Sequence, residues 1–188
     1  VSLSEAEVHW RQFLLDLKRR GLHGLKMITS DDHAGLKAAR ESVFPSVPWQ
    51  RCQVHMQRNA VPYVPKISMR KGVANDIRNI FNAPNLVEAE RLLEMSVEKY
   101  KTTASRLSSW MEDNIIEGLT VFMLPENQRK KLRSTNMVER LNKEIKRRTR
   151  VATLFPNEAS LLRLVSAILV ETSEEWETGK RYLPMVEE

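Results

Sequence analysis

Between Leu25 and His55 the sequence passes from a short apolar segment through an acidic turn into a helical pattern and then back to an extended one. That order restricts the fold more than any other feature of the chain. Leu25 to Thr29 reads as a short buried strand, Ser30-Asp31-Asp32-His33 as a polar turn, and Gly35 to Arg40 as a helix. Pro45 and Pro48 break the chain. Trp49-Gln50-Arg51-Cys52-Gln53-Val54-His55 then has the length and the β-branched and aromatic content of a second strand. Strand, helix and strand in succession predict an α/β core. A helix precedes them: Ser4 and Glu7 have capping-box spacing, Trp10, Leu14 and Leu17 share a face, and Gly21 is a stop signal.

From about Val61 to Gly118 the periodicity is helical alone. Val73, Ile77, Ile80 and Phe81 recur at helical spacing. Asn85 with Glu88 opens a helix carrying Ala89, Leu92, Leu93, Val97 and Tyr100, and Leu107, Trp110 and Met111 mark a third. The expected protein is therefore α/β but predominantly helical, with an all-helical insertion in its core.

The chain has 188 residues, enough for one sizeable core, and a formal charge of +6. No apolar run approaches the ~20 residues of a membrane span, and the start has no signal-peptide plan, so a cytoplasmic location without a membrane partner is expected. Cys52 is the single cysteine, which excludes an internal disulfide framework and fits a reducing compartment. The chain opens at Val1 without methionine and runs at once into a helix, which suggests a fragment.

The positive charge is concentrated in one stretch. Gln128 to Arg150, QRKKLRSTNMVERLNKEIKRRTR, holds ten basic and two acidic side chains, a surplus larger than that of the whole chain. Asn136 is a good N-cap with Glu139 three residues on, and Val138, Leu141 and Ile145 form an apolar stripe that would seat the helix on a core. At ~100° per residue, Glu139, Lys143, Lys146 and Arg150 share a sector away from that stripe. Two readings of this face stand side by side. It is either a solvated helix in which Glu139 caps the end and pairs with Lys143, or a phosphate-binding face on which Glu139 holds a metal at a phosphodiester.

Beyond these patterns, STNMVERLNKEIKRRTRVATLFPNEASLLRLVSAILVETSEEW strongly resembles the C-terminal signature of mutator-type bacterial insertion-sequence transposases. RGLHGLKMITSDDHAGLKAA and PWQRCQVHMQRN resemble that family's second-aspartate segment and its Cys-x-x-His motif. The resemblance runs, in order, over nearly the whole chain. It implies an RNase H-like catalytic domain of the DDE superfamily, in which two aspartates and a glutamate hold two divalent metals, Mg²⁺ or Mn²⁺, and cut and join DNA. Carried over residue by residue, Asp31 matches the second aspartate and Glu139 the glutamate, both catalytic and metal-binding; Asp32 occupies a position that varies. The implied division is a partial RNase H-like core at 1–58 and 119–188 with a helical insertion at 59–118.

The resemblance further implies DNA, at element ends and target, as partner, and a homo-oligomer of two or more copies that joins the ends. Lys143, Lys146, Arg147, Arg150, Arg140 and Arg133 are the DNA-binding candidates. The family's first aspartate and its N-terminal DNA-binding region are expected upstream of Val1, so metal binding by this chain should be weak or absent and the chain inactive alone. A catalytically inactive remnant that grips DNA without sequence preference is the alternative reading.

Four further residues are possible auxiliaries. Cys52 and His55 belong to the Cys-x-x-His motif, to which the resemblance assigns no metal. Taken alone they read as half-buried strand residues, since structural zinc needs four ligands and no second Cys/His pair exists. His33 could position a phosphate or water, or simply be solvated. Trp110 could stack on a flipped base as in related transposases, but Leu107 and Met111 beside it favour packing in the core.

Overall fold

A computed structural model describes residues 6–151 and 155–179. The described residues fall into two compact units, divided between Ser134 and Thr135.

The first unit opens with α1 (Glu7–Arg19), which begins after Ala6; Ser4, the expected cap, lies outside the described residues. Gly21 stops the helix as its position predicts. With φ at +96° it takes the left-handed conformation, and Gly21 and Leu22 return their N–H groups to the carbonyls of Lys18 and Leu17, a Schellman closure. Leu14 of α1 packs with Ala39, Val43 and Phe44, and Trp10, Leu17, Leu25 and Ile28 close around them. Ala39 and Val43 belong to α2 (Ala34–Val43), which connects β1 (Ile28–Ser30) to β2 (Trp49–Arg51). The two strands pair in parallel, Ile28 beside Trp49 and Ser30 beside Arg51, as a crossover helix requires.

The second strand is shorter than its composition suggests. It ends at Arg51, and Gln53 already begins α3 (Gln53–Ala60), so His55 stands on a helix rather than a strand. A tertiary bond overrides the β-propensity of Val54: the Gln53 N–H donates to the Arg133 carbonyl, and the Met56 N–H makes the first helical bond, to the Cys52 carbonyl.

Residues 61–118 contain no strand. They hold 3-10 turns at Val61–Tyr63, Ile67–Met69 and Ile115–Gly118 and the helices α4 (Arg70–Phe81), α5 (Leu86–Tyr100) and α6 (Ser105–Asn114). Asn85 caps α5 as expected, its Oδ1 accepting from the Glu88 N–H at 2.9 Å. One apolar cluster runs from Met56 of α3 through Ile77, Ile80, Leu107, Met111 and Ile115 to Val121 and Phe122, so these helices share their core with the segment that follows β2. Buried Gln50 ties the strand into this core: its Nε2 donates to the Gly118 carbonyl and its Oε1 accepts from the Val121 N–H. Gly118 is required by closeness rather than by φ, since a Cβ there would stand 3.0 Å from Met56 Sδ and 3.1 Å from the Phe81 ring. A 3-10 turn at Thr120–Met123 and α7 (Glu126–Leu132) complete the unit.

The second unit is built of α8 (Asn136–Val151) and α9 (Glu158–Thr178), with Asn157 capping α9 through the Ser160 N–H. An ion pair from Arg148 to Glu171, at 2.5 Å, links the two helices. The expected apolar stripe of α8 is incomplete as a buried seam: no α8 residue is buried, and Val138 is 58% exposed. No helix among the described residues is long and apolar enough to cross a membrane.

Candidate metal centre and basic helix

The carboxyl edge of the two-stranded sheet, where α/β folds place their ligands, is where the chemistry-bearing side chains of the first unit gather. Asp31 follows the last residue of β1, and Cys52 follows the last residue of β2. The Cys52 N–H donates to the Ser30 carbonyl at 2.8 Å, which extends the parallel ladder and sets these two residues side by side. His55 lies one turn into α3, and its Nδ1 meets Asp31 Oδ1 at 2.5 Å. One donor atom from each of Asp31, Cys52 and His55 falls within 4.8 Å of the others. Cys52 is fully buried, whereas the Asp31 side chain is 54% exposed and the His55 side chain 25%.

The tandem aspartates do different work. Asp32 accepts from Arg51 at 3.0 Å and from Lys37 at 3.3 Å, and those cations also hold the two oxygens of Glu117, at 2.9 and 3.0 Å. Arg51 is buried and donates in addition to Asn114 Oδ1 at 2.8 Å. Burial works against the charge on Lys37, but its hydrogen bonds and charge interactions, first with Glu117 and then with Asp32, raise its pKa above the ordinary value. Asp32 is thus a structural carboxylate locked into a charge network, and Asp31 is the one left at the open edge. Neither the Arg51–Glu117 pairing nor Asn114 was legible in sequence; a charged residue inside the segment read as a strand was the only trace.

His33 caps α2, its Nδ1 accepting from the Leu36 N–H at 3.3 Å. Trp110 is a core residue: it is buried and stacks on Tyr63 with centroids 5.5 Å apart, and Leu107 and Met111 are inaccessible. Arg133, expected on a DNA-binding face, reaches back instead to Asn82 Oδ1 at 2.7 Å, and burial lowers its pKa. The chain around it is stitched to the sheet edge. Thr29 Oγ1 donates to the Leu132 carbonyl at 2.7 Å, and the Arg133 carbonyl accepts from the Gln53 N–H at 3.0 Å.

In the second unit the first turn of α8 differs by one residue from the sequence reading. Thr135, not Asn136, precedes the helix; its carbonyl accepts from the Glu139 N–H, and its hydroxyl donates to Glu139 Oε1 at 3.2 Å. Lys143, Lys146, Arg150 and Arg140 are exposed. Arg147 is committed, gripping both oxygens of Glu144 at 2.7 and 2.9 Å, while Arg148 takes one of them as well. The Arg147 and then the Arg148 hydrogen bonds pull the Glu144 carboxyl down to about 2. A groove of about 520 Å³ runs along α8 and α9, with Arg140, Lys143 and Arg147 on its wall and Trp176 opposite.

Known proteins place this chain. The family model described as transposase, Mutator family, matches residues 1–179. The transposase for insertion sequence element IS406 of Burkholderia multivorans is 54% identical over 183 residues, covering 97% of this chain and 47% of that protein. The transposase for element ISRM5 of Rhizobium meliloti is 45% identical over 96% of this chain and 45% of its own length. The transposase for element IS256 in transposon Tn4001 of Staphylococcus aureus is 34% identical over 94% of this chain and 45% of its own length. The chain spans about half the length of these relatives, and on this match it belongs to the Mutator family of transposases.

Proposed function

We propose that the chain is the C-terminal catalytic portion of a DDE-type DNA transposase with an RNase H-like core and a helical insertion at 59–118. In the full-length enzyme it performs metal-dependent cleavage and strand transfer at element ends. The observation that carries this reading is the division between the tandem aspartates. A buried arginine and a lysine claim Asp32, and Asp31 stands half-exposed where the strand ends.

On the resemblance, Asp31 and Glu139 are two of the three metal-binding carboxylates of the site. Carboxylate oxygens at an open edge suit a hard cation such as Mg²⁺ or Mn²⁺. When bound, such ions activate the attacking water or 3′-hydroxyl and stabilise the leaving oxygen. His55 orients the Asp31 carboxylate through its 2.5 Å contact. Exposed Lys143, Lys146, Arg150 and Arg140 neutralise phosphates of the DNA on either side of the scissile bond. Joining two ends calls for a homo-oligomer.

The test is strand cleavage by the full-length transposase carrying this chain. Asp31→Asn and Glu139→Gln should each lower cleavage by on the order of 10³-fold in Mg²⁺, while Asp32→Asn lowers stability and keeps most of the cleavage rate per folded molecule. Cleavage lost with Asp32 and kept without Asp31 would reverse the assignment.

A further inference from the structure

We infer that Asp31, Cys52 and His55 together form a binding site for a borderline-soft divalent cation, Zn²⁺ being the natural occupant, with one coordination position left open to solvent. The Cys-x-x-His pair by itself offers two ligands, too few for a site. Parallel strand pairing supplies the third, because the Cys52 N–H bonds to the Ser30 carbonyl and so brings Asp31 alongside. The helix that Cys52 precedes then returns His55 to the same side one turn later.

The donor atoms are an oxygen, a sulfur and a nitrogen, each within 4.8 Å of the others. Metal–ligand bonds of about 2.0 to 2.3 Å in a tetrahedron separate donors by roughly 3.3 to 3.8 Å, so only small side-chain adjustments are needed. His55 Nδ1 and Asp31 Oδ1 stand 2.5 Å apart; a cation held between them would widen that contact to about 3.3 Å. Thiolate and imidazole ligands favour Zn²⁺ or Co²⁺ over Mg²⁺, which takes oxygen. Three protein ligands with an open position is the pattern of exchangeable rather than closed structural zinc, and the exposed flank of Asp31 provides the opening. A metal-bound cysteine is a thiolate, so Zn²⁺ binding at Cys52 should release a proton.

The inference shares Asp31 with the catalytic reading above but needs neither Glu139 nor DNA. Co²⁺ is the probe. Titrated into the full-length protein, it should give a thiolate-to-cobalt charge-transfer band and the intense visible bands of a tetrahedral site, and Zn²⁺ should abolish both at one equivalent. Cys52→Ser should remove the charge-transfer band, and Asp31→Asn and His55→Ala should each weaken binding at least about 10-fold. Glu139→Gln should leave the spectrum intact while removing cleavage, which separates failure of this site from failure of the catalytic assignment. Because Cys52 is buried, circular dichroism checks that its variant is folded; should it unfold, the parent spectrum and proton release on Zn²⁺ binding decide the matter. Absence of a thiolate band at saturating Co²⁺, or Zn²⁺ affinity indifferent to the His55 and Asp31 variants, would overturn the inference.

Discussion

Arg51 is the side chain on which the acidic edge of the sheet depends most, and its replacement by methionine tests the charge network directly. The guanidinium is 4% exposed and donates to Asp32 Oδ2, Glu117 Oε2 and Asn114 Oδ1 at 2.8 to 3.0 Å. Removing one partner of a buried ion pair costs about 3–5 kcal/mol, most of it the penalty for the charge left behind. Here the stranded carboxylates, Asp32 and Glu117, keep 35% and 29% of their side-chain surface in water, and Lys37 remains bound to both. Solvent and Lys37 therefore offset part of the loss, and Arg51→Met should cost about 2–3 kcal/mol.

Converting the stranded acids as well supplies the control. In the triple variant Arg51→Met, Asp32→Asn, Glu117→Gln no carboxylate is left without its arginine, and stability should return to within about 1 kcal/mol of the parent. Urea unfolding followed by circular dichroism measures both. A loss below about 0.5 kcal/mol for the single variant, or a triple variant no more stable than the single, would refute the reasoning that Arg51 is there to hold two acids.

Two further outcomes are expected. Glu144, held down to about 2 by Arg147 and Arg148, should lend α8 a stabilising pair that is fully present above its ordinary value of 4.5 and lost as pH falls toward 2; carboxyl NMR titration checks this, and a midpoint near 4.5 would show that the pair does not form in solution. Replacing Lys143, Lys146 and Arg150 together by alanine should flatten the log–log salt dependence of duplex DNA binding by about 2.7 units if each neutralises one phosphate; equal slopes would return this face to the plain reading of a solvated helix.

Periodicity carried the helices well because their apolar faces are local. Val73, Ile77, Ile80 and Phe81 are all buried in α4 as their spacing demands, and Asn85 caps α5. The ends of strands were harder, because what stops β2 is not its own composition. Gln53 is drawn into a helix by bonding to Arg133, a partner distant in sequence, and no pattern within Trp49 to His55 records that. The same blindness affected the charges. Arg133 and Arg147 look in sequence like any other member of the basic run, yet one bonds back to Asn82 and the other grips Glu144, so charge count overstated the free positive surface. What a cation does is set by whether a carboxylate or carbonyl comes within hydrogen-bonding reach, and that is a property of the folded chain.

The tandem aspartates sharpen the point. Two identical residues in succession on a turn differ in nothing that sequence physics can weigh, and resemblance alone favoured the first. In the structure the choice acquires a mechanism, because neighbouring side chains at the end of a strand point to different sides. One side leads toward Lys37, Arg51 and Glu117, where a carboxylate is needed to balance buried charge. The other leads to His55 and Cys52 at an edge open to solvent, where the carboxylate meets His55 but balances no buried arginine or lysine. Asp31→Asn should therefore leave folding stability within ±0.5 kcal/mol of the parent, as for an exposed residue, whereas Asp32→Asn should cost more because it strips Arg51 of a partner. Measured side by side in urea, equal losses would mean that the edge carboxylate is also structural, and the functional assignment of Asp31 would lose its physical basis.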